Sequence, residues 1–483
     1  MKLADGKEAL ADSIIVAARP GVAAASIQTL HAELSARRGF SAQSVADVGP
    51  SLQRVSISGV SIETALTAYR ADLRVLYAEP DFILRAAETP NDPSFPSQWG
   101  MTRISAPAAW DQTRGSSAVR IAILDCGIYE AGSTSFGPGH PDINGKVVAR
   151  ANFTSTPDAD DYCDHGTHVA GIAAAITNNG VGVAGVGYTT SLMNVKVLDN
   201  TGAGTVSSIV SGIYWAADNG ARVINMSLGG DIPCPTSMQA AVDYAWSRGV
   251  VLVASAGNSG LSSAGSPANC VRVVSVAATD QSDNRANFSN YGSNVNVAAP
   301  GVSIYSTNYV GSYENFSGTS QAAPHVAGLA GLLWATSYGA SNQMVVARLL
   351  NTSDRVAGTG SLWTYGRINA AAAVAPPVCL PRPDVSVSAS ASSPGVLAVT
   401  ATATGSNVYV QSIAFGSASN ATVNAGPTTA SPGGFTYAPP MFSRSATFTV
   451  RRTTAGQAAT VPLTVTDSCG SWPSFVGGGP SAF

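Results

Sequence analysis

Short apolar runs alternate with longer stretches of helical period through the middle of the chain. Arg120–Leu124, Leu192–Leu198, Val223–Ser227, Val250–Ala254 and Val271–Ala277 read as strands. Helices are expected to start near His165, Val206, Met238, Ser320 and Ser341. That alternation, over residues 90 to 375 or so, predicts an α/β fold built on a parallel sheet. Before it, a short apolar strand at Ile14–Ala17 precedes Pro20-Gly21 and a helix-like Ser26–Leu34. A period-two run at Gln53–Ser58, a helix over Ser61–Tyr69 and a strand at Val75–Tyr77 follow, giving a split β-α-β order. After Pro376-Pro377 and Pro381-Arg-Pro383 the pattern changes again. Asp384–Ser388, Val396–Thr404 and Ala446–Val450 alternate apolar with small polar residues between Gly/Pro turns, which predicts a small β-sandwich. A Gly-rich tail, Gly477–Pro480, closes the chain. The expected organisation is residues 1–88, 89–375, a Pro-rich linker at 376–383, and 384–483.

Length agrees, since 483 residues exceed one ordinary domain. Charged residues are only 11% and the net charge is −3. So weakly charged a surface gives no reason to expect nucleic acid or an anionic membrane as partner. No apolar run approaches a membrane span, and Met1–Glu8 holds no apolar signal core.

Three segments carry candidate chemistry. Ile121–Gly127 is an apolar strand ending in Asp125; Asp164-His165-Gly-Thr-His168 opens a helix; Gly318-Thr-Ser320 opens an alanine-rich one. A serine hydroxyl is a weak nucleophile until an imidazole takes its proton. A carboxylate on the other ring nitrogen holds that imidazole in the right tautomer. A fourth segment, Val251–Asn258, ends an apolar strand in an amide side chain suited to stabilising an oxyanion. Of the five histidines, His31 lies in the N-terminal region, His140 precedes Pro141, and His168 and His325 fall inside helices, leaving His165 as the base. A zinc site from Cys163, His165 and His168 fails, because the histidines are three apart with no Glu between them.

Asp125, His165 and Ser320, in that chain order with Asn258, resemble the subtilisin-like serine proteases, and among them the thermitase-like branch. The Ser-Glu-Asp carboxyl peptidases of similar fold carry acidic residues where His165 and Asn258 stand. The resemblance implies a subtilisin-like parallel sheet flanked by helices, preceded by a ferredoxin-like α+β inhibitory prodomain at 1–88. Val75–Asp81 is similar to prodomain ends, and Asn91-Asp92-Pro93 to mature N-termini. Autocleavage is therefore expected between Arg85 and Thr89. The implied activity is a secreted, monomeric serine endopeptidase acting on peptides through an acyl-enzyme, with its own prodomain as inhibitor.

By the same resemblance, Ser227, Leu228 and Gly229, with Ala256 and Gly257, wall the primary specificity pocket, and Ser266–Ala268 form its base. Gly202 and Gly204 pair with an extended peptide. Those segments carry no charge, so apolar or aromatic side chains are expected at P1. A structural Ca²⁺ is implied, held by the carboxylates of Asp92 and Asp142, the amide oxygen of Asn179, and the carbonyls of Ile176, Val181 and Val183. Such an all-oxygen set suits a hard cation. Cys234 and Cys270 resemble a bridge of secreted relatives. Cys379 and Cys469 bracket the C-terminal region. Cys126 and Cys163 are compatible with either a bridge or a pair of free thiols. Two departures from the family pattern stand out: Gln321 replaces the usual Met after the nucleophile, and Cys126 the usual Thr or Ser after the acid.

Overall fold

A computed structural model describes residues 9–49, 51–83, 89–131, 137–336 and 339–376, and the strand backbone of segments between 385 and 478. The chain divides into two units, Met1–Ala86 and Ala87–Phe483.

The first unit runs β1 (Ala9–Ala18), α1 (Ala24–Arg38), β2 (Ser41–Gly49), β3 (Leu52–Ser58), α2 (Ile62–Arg70) and β4 (Val75–Phe82). Its antiparallel sheet has the order β2-β3-β1-β4, the split β-α-β arrangement. Ser61 caps α2 by accepting the Thr64 N–H, and α1 stops at Gly39, whose φ of 71° suits a residue without Cβ. Ile14, Val16, Leu30, Val55, Ile62 and Tyr69 form the core between sheet and helices. β2 has no apolar alternation because, as an edge strand, it leaves nearly every side chain exposed.

The second unit opens with short helices α3 (Trp99–Arg103) and α4 (Ala106–Trp110). Then follow β5 (Arg120–Asp125), β6 (Val147–Asn152), α5 (Gly166–Ala174), β7 (Ser191–Lys196), α6 (Val206–Asp218), β8 (Val223–Met226), α7 (Thr236–Ser247), β9 (Val251–Ser255) and β10 (Val273–Thr279). β11 (Val297–Pro300), the hairpin β12 (Ile304–Thr307) and β13 (Tyr313–Phe316), α8 (Thr319–Trp334), α9 (Asn342–Asn351), β14 (Gly366–Arg367) and α10 (Ala370–Val374) complete it up to residue 376. The eight-stranded sheet has the order β14-β11-β10-β9-β8-β5-β7-β6, and every pairing is parallel. Its central strands are buried along their length, as a sheet covered by helices on both faces requires. Strand order reverses at β5, which has β7 on one side and β8 on the other. Such a switch point opens a crevice at the carboxyl ends of the strands.

Beyond residue 385 the described strands are β15 (Val385–Ser393), β16 (Val396–Ala403), β17 (Val410–Phe415), β18 (Ala421–Ala425), β19 (Thr428–Ala430), β20 (Phe435–Tyr437), β21 (Ser445–Arg452), β22 (Ala459–Asp467) and β23 (Gly470–Gly478). They form two antiparallel sheets, β15-β16-β21-β18-β19 and β20-β17-β22-β23. Gly477 and Gly478, assigned to a tail by sequence, pair in β23 with Thr460 and Ala459.

Candidate active site

Four element ends converge on the crevice. β5 delivers Asp125, fully buried, at its last residue. His165 caps the start of α5 and keeps 28% of its side chain exposed. Its Nδ1 lies 2.9 and 3.0 Å from the two carboxylate oxygens of Asp125. That pairing places the proton on Nδ1 and leaves Nε2 as an acceptor. Burial alone would lower the His165 pKa; Asp125, then Asp161 and Asp164, outweigh it and hold it above the ordinary value.

Ser320 is the second residue of α8, so its backbone N–H has no partner within the helix. Pro324 follows four residues later and has no N–H to give to the Ser320 carbonyl. The Ser227 hydroxyl fills that gap at 2.7 Å, and the Ser320 hydroxyl donates to the Ser227 carbonyl at 3.2 Å. The nucleophile's turn is thereby locked to the end of β8. Asn258, just beyond β9, accepts the Thr319 N–H and hydroxyl on Oδ1, both at 2.8 Å. With its oxygen engaged, Nδ2 is the donor that Asn258 has left.

His165, Asn258 and Ser320 line one cleft of about 730 Å³. Gly202, Gly204, Ser227, Leu228, Gly229, Ala256 and Gly257 line it too. The walls after β8 and β9 are tied to the base by a Gly230–Ser266 bridge. Ser266 and Pro267 reach the cleft, whereas Ala268 is buried in the core. Asp231 also lines the cleft, held by the Ser259 hydroxyl at 2.9 Å, so the pocket carries a carboxylate that sequence reasoning missed. It follows the glycine pair directly, and nothing in its residue type distinguished it from an ordinary turn aspartate.

Asp92 and Asp142 are both buried. Asp92 accepts the N–H groups of Asn178 and Asn179; Asp142 accepts from Val183 N–H, the Asn179 amide and the Tyr313 hydroxyl. Burial, and then the charge of Asp142, raise the Asp92 pKa. Among the described residues nothing donates to the carbonyl oxygens of Ile176, Val181 or Val183. Asn179 Oδ1 accepts the Val181 N–H at 2.8 Å and retains one lone pair. Two buried carboxylates, with an amide oxygen and carbonyls that no described protein group donates to, make an all-oxygen donor set that fits a hard divalent cation.

Cys126–Cys163 and Cys234–Cys270 are disulfides. Cys379 and Cys469 lie outside the described residues, as does segment 84–88 of the expected cleavage region.

Residues 116–367 match the Peptidase_S8 subtilase family. The chain is 49% identical to thermitase of Thermoactinomyces vulgaris over 290 residues, which is 59% of this chain and 99% of the relative. It is 45% identical over 316 residues to a thermophilic serine proteinase of Bacillus sp. (strain AK1), covering 65% of this chain and 76% of that protein. A solved structure of a protease from Pseudoalteromonas arctica PAMC 21717 is similar at a TM-score of 0.54 and 36% identity, over 59% of this chain and 99% of the other.

Proposed function

The chain belongs to the subtilase family as a subtilisin-like serine endopeptidase, and from that premise we propose which residues do the work. The Ser320 hydroxyl turns from the Ser227 carbonyl toward His165 Nε2, and Oγ attacks the scissile carbonyl carbon as its proton passes to that nitrogen. Asp125 holds the Nδ1 proton and stabilises the imidazolium that forms. Asn258 Nδ2 and the Ser320 N–H take the developing oxyanion at a helix N-terminus. The imidazolium then protonates the leaving amine, and water, deprotonated by His165, releases the acyl group. The observation that carries this reading is the two-oxygen grip of Asp125 on His165 Nδ1 in the cleft that Ser320 opens onto.

Residues 1–88 act as an inhibitory prodomain removed by autocleavage between Arg85 and Thr89, and the mature enzyme is a secreted monomer. The largely apolar pocket favours apolar or aromatic P1 side chains. Asp92, Asp142, Asn179, Ile176, Val181 and Val183 hold Ca²⁺, which neutralises the buried carboxylates and braces the loop after α5. The strands from 385 onward form a separate β-domain whose part in the activity is structural.

Intact mass of wild type and Ser320→Ala, with and without a fluorophosphonate, tests the core of this. Wild type is expected to lose its N-terminal segment and gain one adduct, and the mutant to do neither. An unprocessed, unlabelled wild type in calcium buffer would refute it. In a peptide assay, Asn258→Leu should lower kcat by about 10²–10³-fold with little change in KM.

A further inference from the structure

Behind the Asp125–His165 pair sits a lysine to which the scheme above gives no task. Lys196 ends β7, directly opposite Asp125 in the β5–β7 register, and is completely buried. Burying an ammonium is costly unless its donors and charge are matched. Its Nζ donates to the carbonyl oxygen of Cys126 and, at 3.1 Å, to that of Asp160, and it lies 5.9 Å from the Tyr162 ring centroid. Cys126 is the residue after the acid, and Asp160 lies in the loop that leads to the base. One ammonium therefore ties the turn carrying Asp125 to the loop carrying His165.

The surroundings show why that tie has consequences. The same two loops are joined by the Cys126–Cys163 disulfide. They pack so closely that a Cβ on Gly127 would lie 2.4 Å from the carbonyl oxygens of Ala159 and Asp160, and one on Gly166 2.0 Å from that of Gly127. A single tie fixes a distance, whereas two at different points also fix an orientation. The residues after Lys196 add to the grip, because the N–H groups of Val197 and Leu198 donate to the Asp125 carbonyl at 2.9 and 3.1 Å. Carboxylates surround the pair: Asp161, Asp158, Asp125 and Asp199 favour the Lys196 ammonium, although burial outweighs them and lowers its pKa, while Asp125, Asp161 and Asp164 hold the His165 pKa up.

We propose that Lys196 is a positioning residue for peptide hydrolysis, its ammonium holding the Asp125 turn against the 158–165 loop so that the imidazole is correctly set over Ser320. This rests on the catalytic roles given above. A lysine serving stability alone would, when replaced, lower the melting temperature and leave turnover per active site untouched. A positioning lysine affects turnover itself, since misplacing reacting groups by about 1 Å costs on the order of 10²-fold. It also affects the pH profile. Lys196 and the imidazole share the carboxylates of Asp125 and Asp161, so removing the cation should favour imidazolium and move the acid limb of kcat to higher pH.

The test uses the full chain in calcium buffer, with active sites counted by fluorophosphonate uptake. Lys196→Met should lower kcat per site by about 10- to 100-fold, leave KM within about twofold, and shift the acid limb upward. Lys196→Arg, which keeps the charge, should leave the acid limb where wild type has it. Wild-type kcat and an unmoved limb in Lys196→Met overturn the assignment, whatever happens to its melting temperature. Failure of both variants to fold also overturns it, because Lys196 is then a stability residue. If wild type itself takes up no fluorophosphonate, the catalytic reading falls and the assignment with it.

Discussion

Asp164 stands one residue before the base in a left-handed conformation (φ 59°), its carboxyl facing Glu314 of the β12–β13 hairpin. Burial, then the contact with Glu314, raise its pKa to about 7, while the Tyr309 N–H donates to Oδ1 at 3.0 Å. The folded chain thus holds a proton that the unfolded chain releases near the ordinary aspartate value. Stability from this pair is complete in acid and is lost as pH rises toward 7. Asn tolerates the left-handed region, keeps the acceptor for Tyr309 and offers Glu314 an N–H that does not titrate. Asp164→Asn should therefore raise the melting temperature at pH 8 by about 2–4 °C and give no gain at pH 4. Equal changes at both pH values in calorimetry would contradict the shared proton. Beside the nucleophile, buried Gln321 offers peroxide no thioether. The wild type should keep its activity in peroxide, and Gln321→Met should lose it; decay of both at one rate would place the vulnerable atom elsewhere. Asp125, His165, Asn258 and Ser320 were legible because each stands where an apolar run meets a polar break. The Asp164–Glu314 contact was not, since it joins residues remote in sequence through a hairpin that periodicity does not reveal.

At the scale of elements, strands that are apolar throughout were readable and short or half-exposed ones were not. β5, β8, β9 and β10 announce themselves, whereas β6 alternates only weakly at the sheet edge and β14 has two residues. The β12–β13 hairpin escaped notice for the same reason, although it clamps α5. Ser306 and Thr307 hydroxyls donate to the carbonyls of His168 and Thr167 at 2.8 and 2.7 Å, and His168 stacks on Phe316 at 4.5 Å. Tyr313 of the same hairpin donates to Asp142. The proposed calcium loop, the hairpin and the histidine helix are thus one packed block, and removing the cation should loosen all three. A chelator in excess should lower the melting temperature and reduce amide protection over residues 177–183 and 304–316. Fluorophosphonate labelling of Ser320 well below the melting temperature should survive. Melting that is unchanged by the chelator would argue against the site.

For the whole molecule, the two units should differ in how they respond to acid. The first unit has its own small core and buries His31 beside it, with Nδ1 2.8 Å from the Tyr69 hydroxyl and Nε2 2.9 Å from Gln53 Oε1. Gln53 Oε1 only accepts, so Nε2 carries the proton and Nδ1 accepts from Tyr69. A second proton would deprive the Tyr69 O–H of its acceptor, so that the hydroxyl would have to turn and accept instead, and would place a charge in a buried site. Burial accordingly lowers the His31 pKa, and the Gln53 bond offsets only part of the effect. The sign follows: the unfolded chain binds the proton first, so stability is complete above about pH 6.5 and falls as pH drops below it. Small domains have little stability to spare, so this loss should be visible. In full-length Ser320→Ala protein, amide protection over residues 9–83 should fall between pH 7.5 and pH 5. Protection in the parallel sheet of the second unit should change less over that range: His168 and His325, with pKa values lowered by burial to about 4, stay neutral, and His140, whose pKa burial also lowers, lies in the segment between β5 and β6 and not in a strand. His31→Gln should flatten the dependence. If it persists in that variant, the acid-labile group is another one, and the His31–Tyr69–Gln53 chain is packing alone.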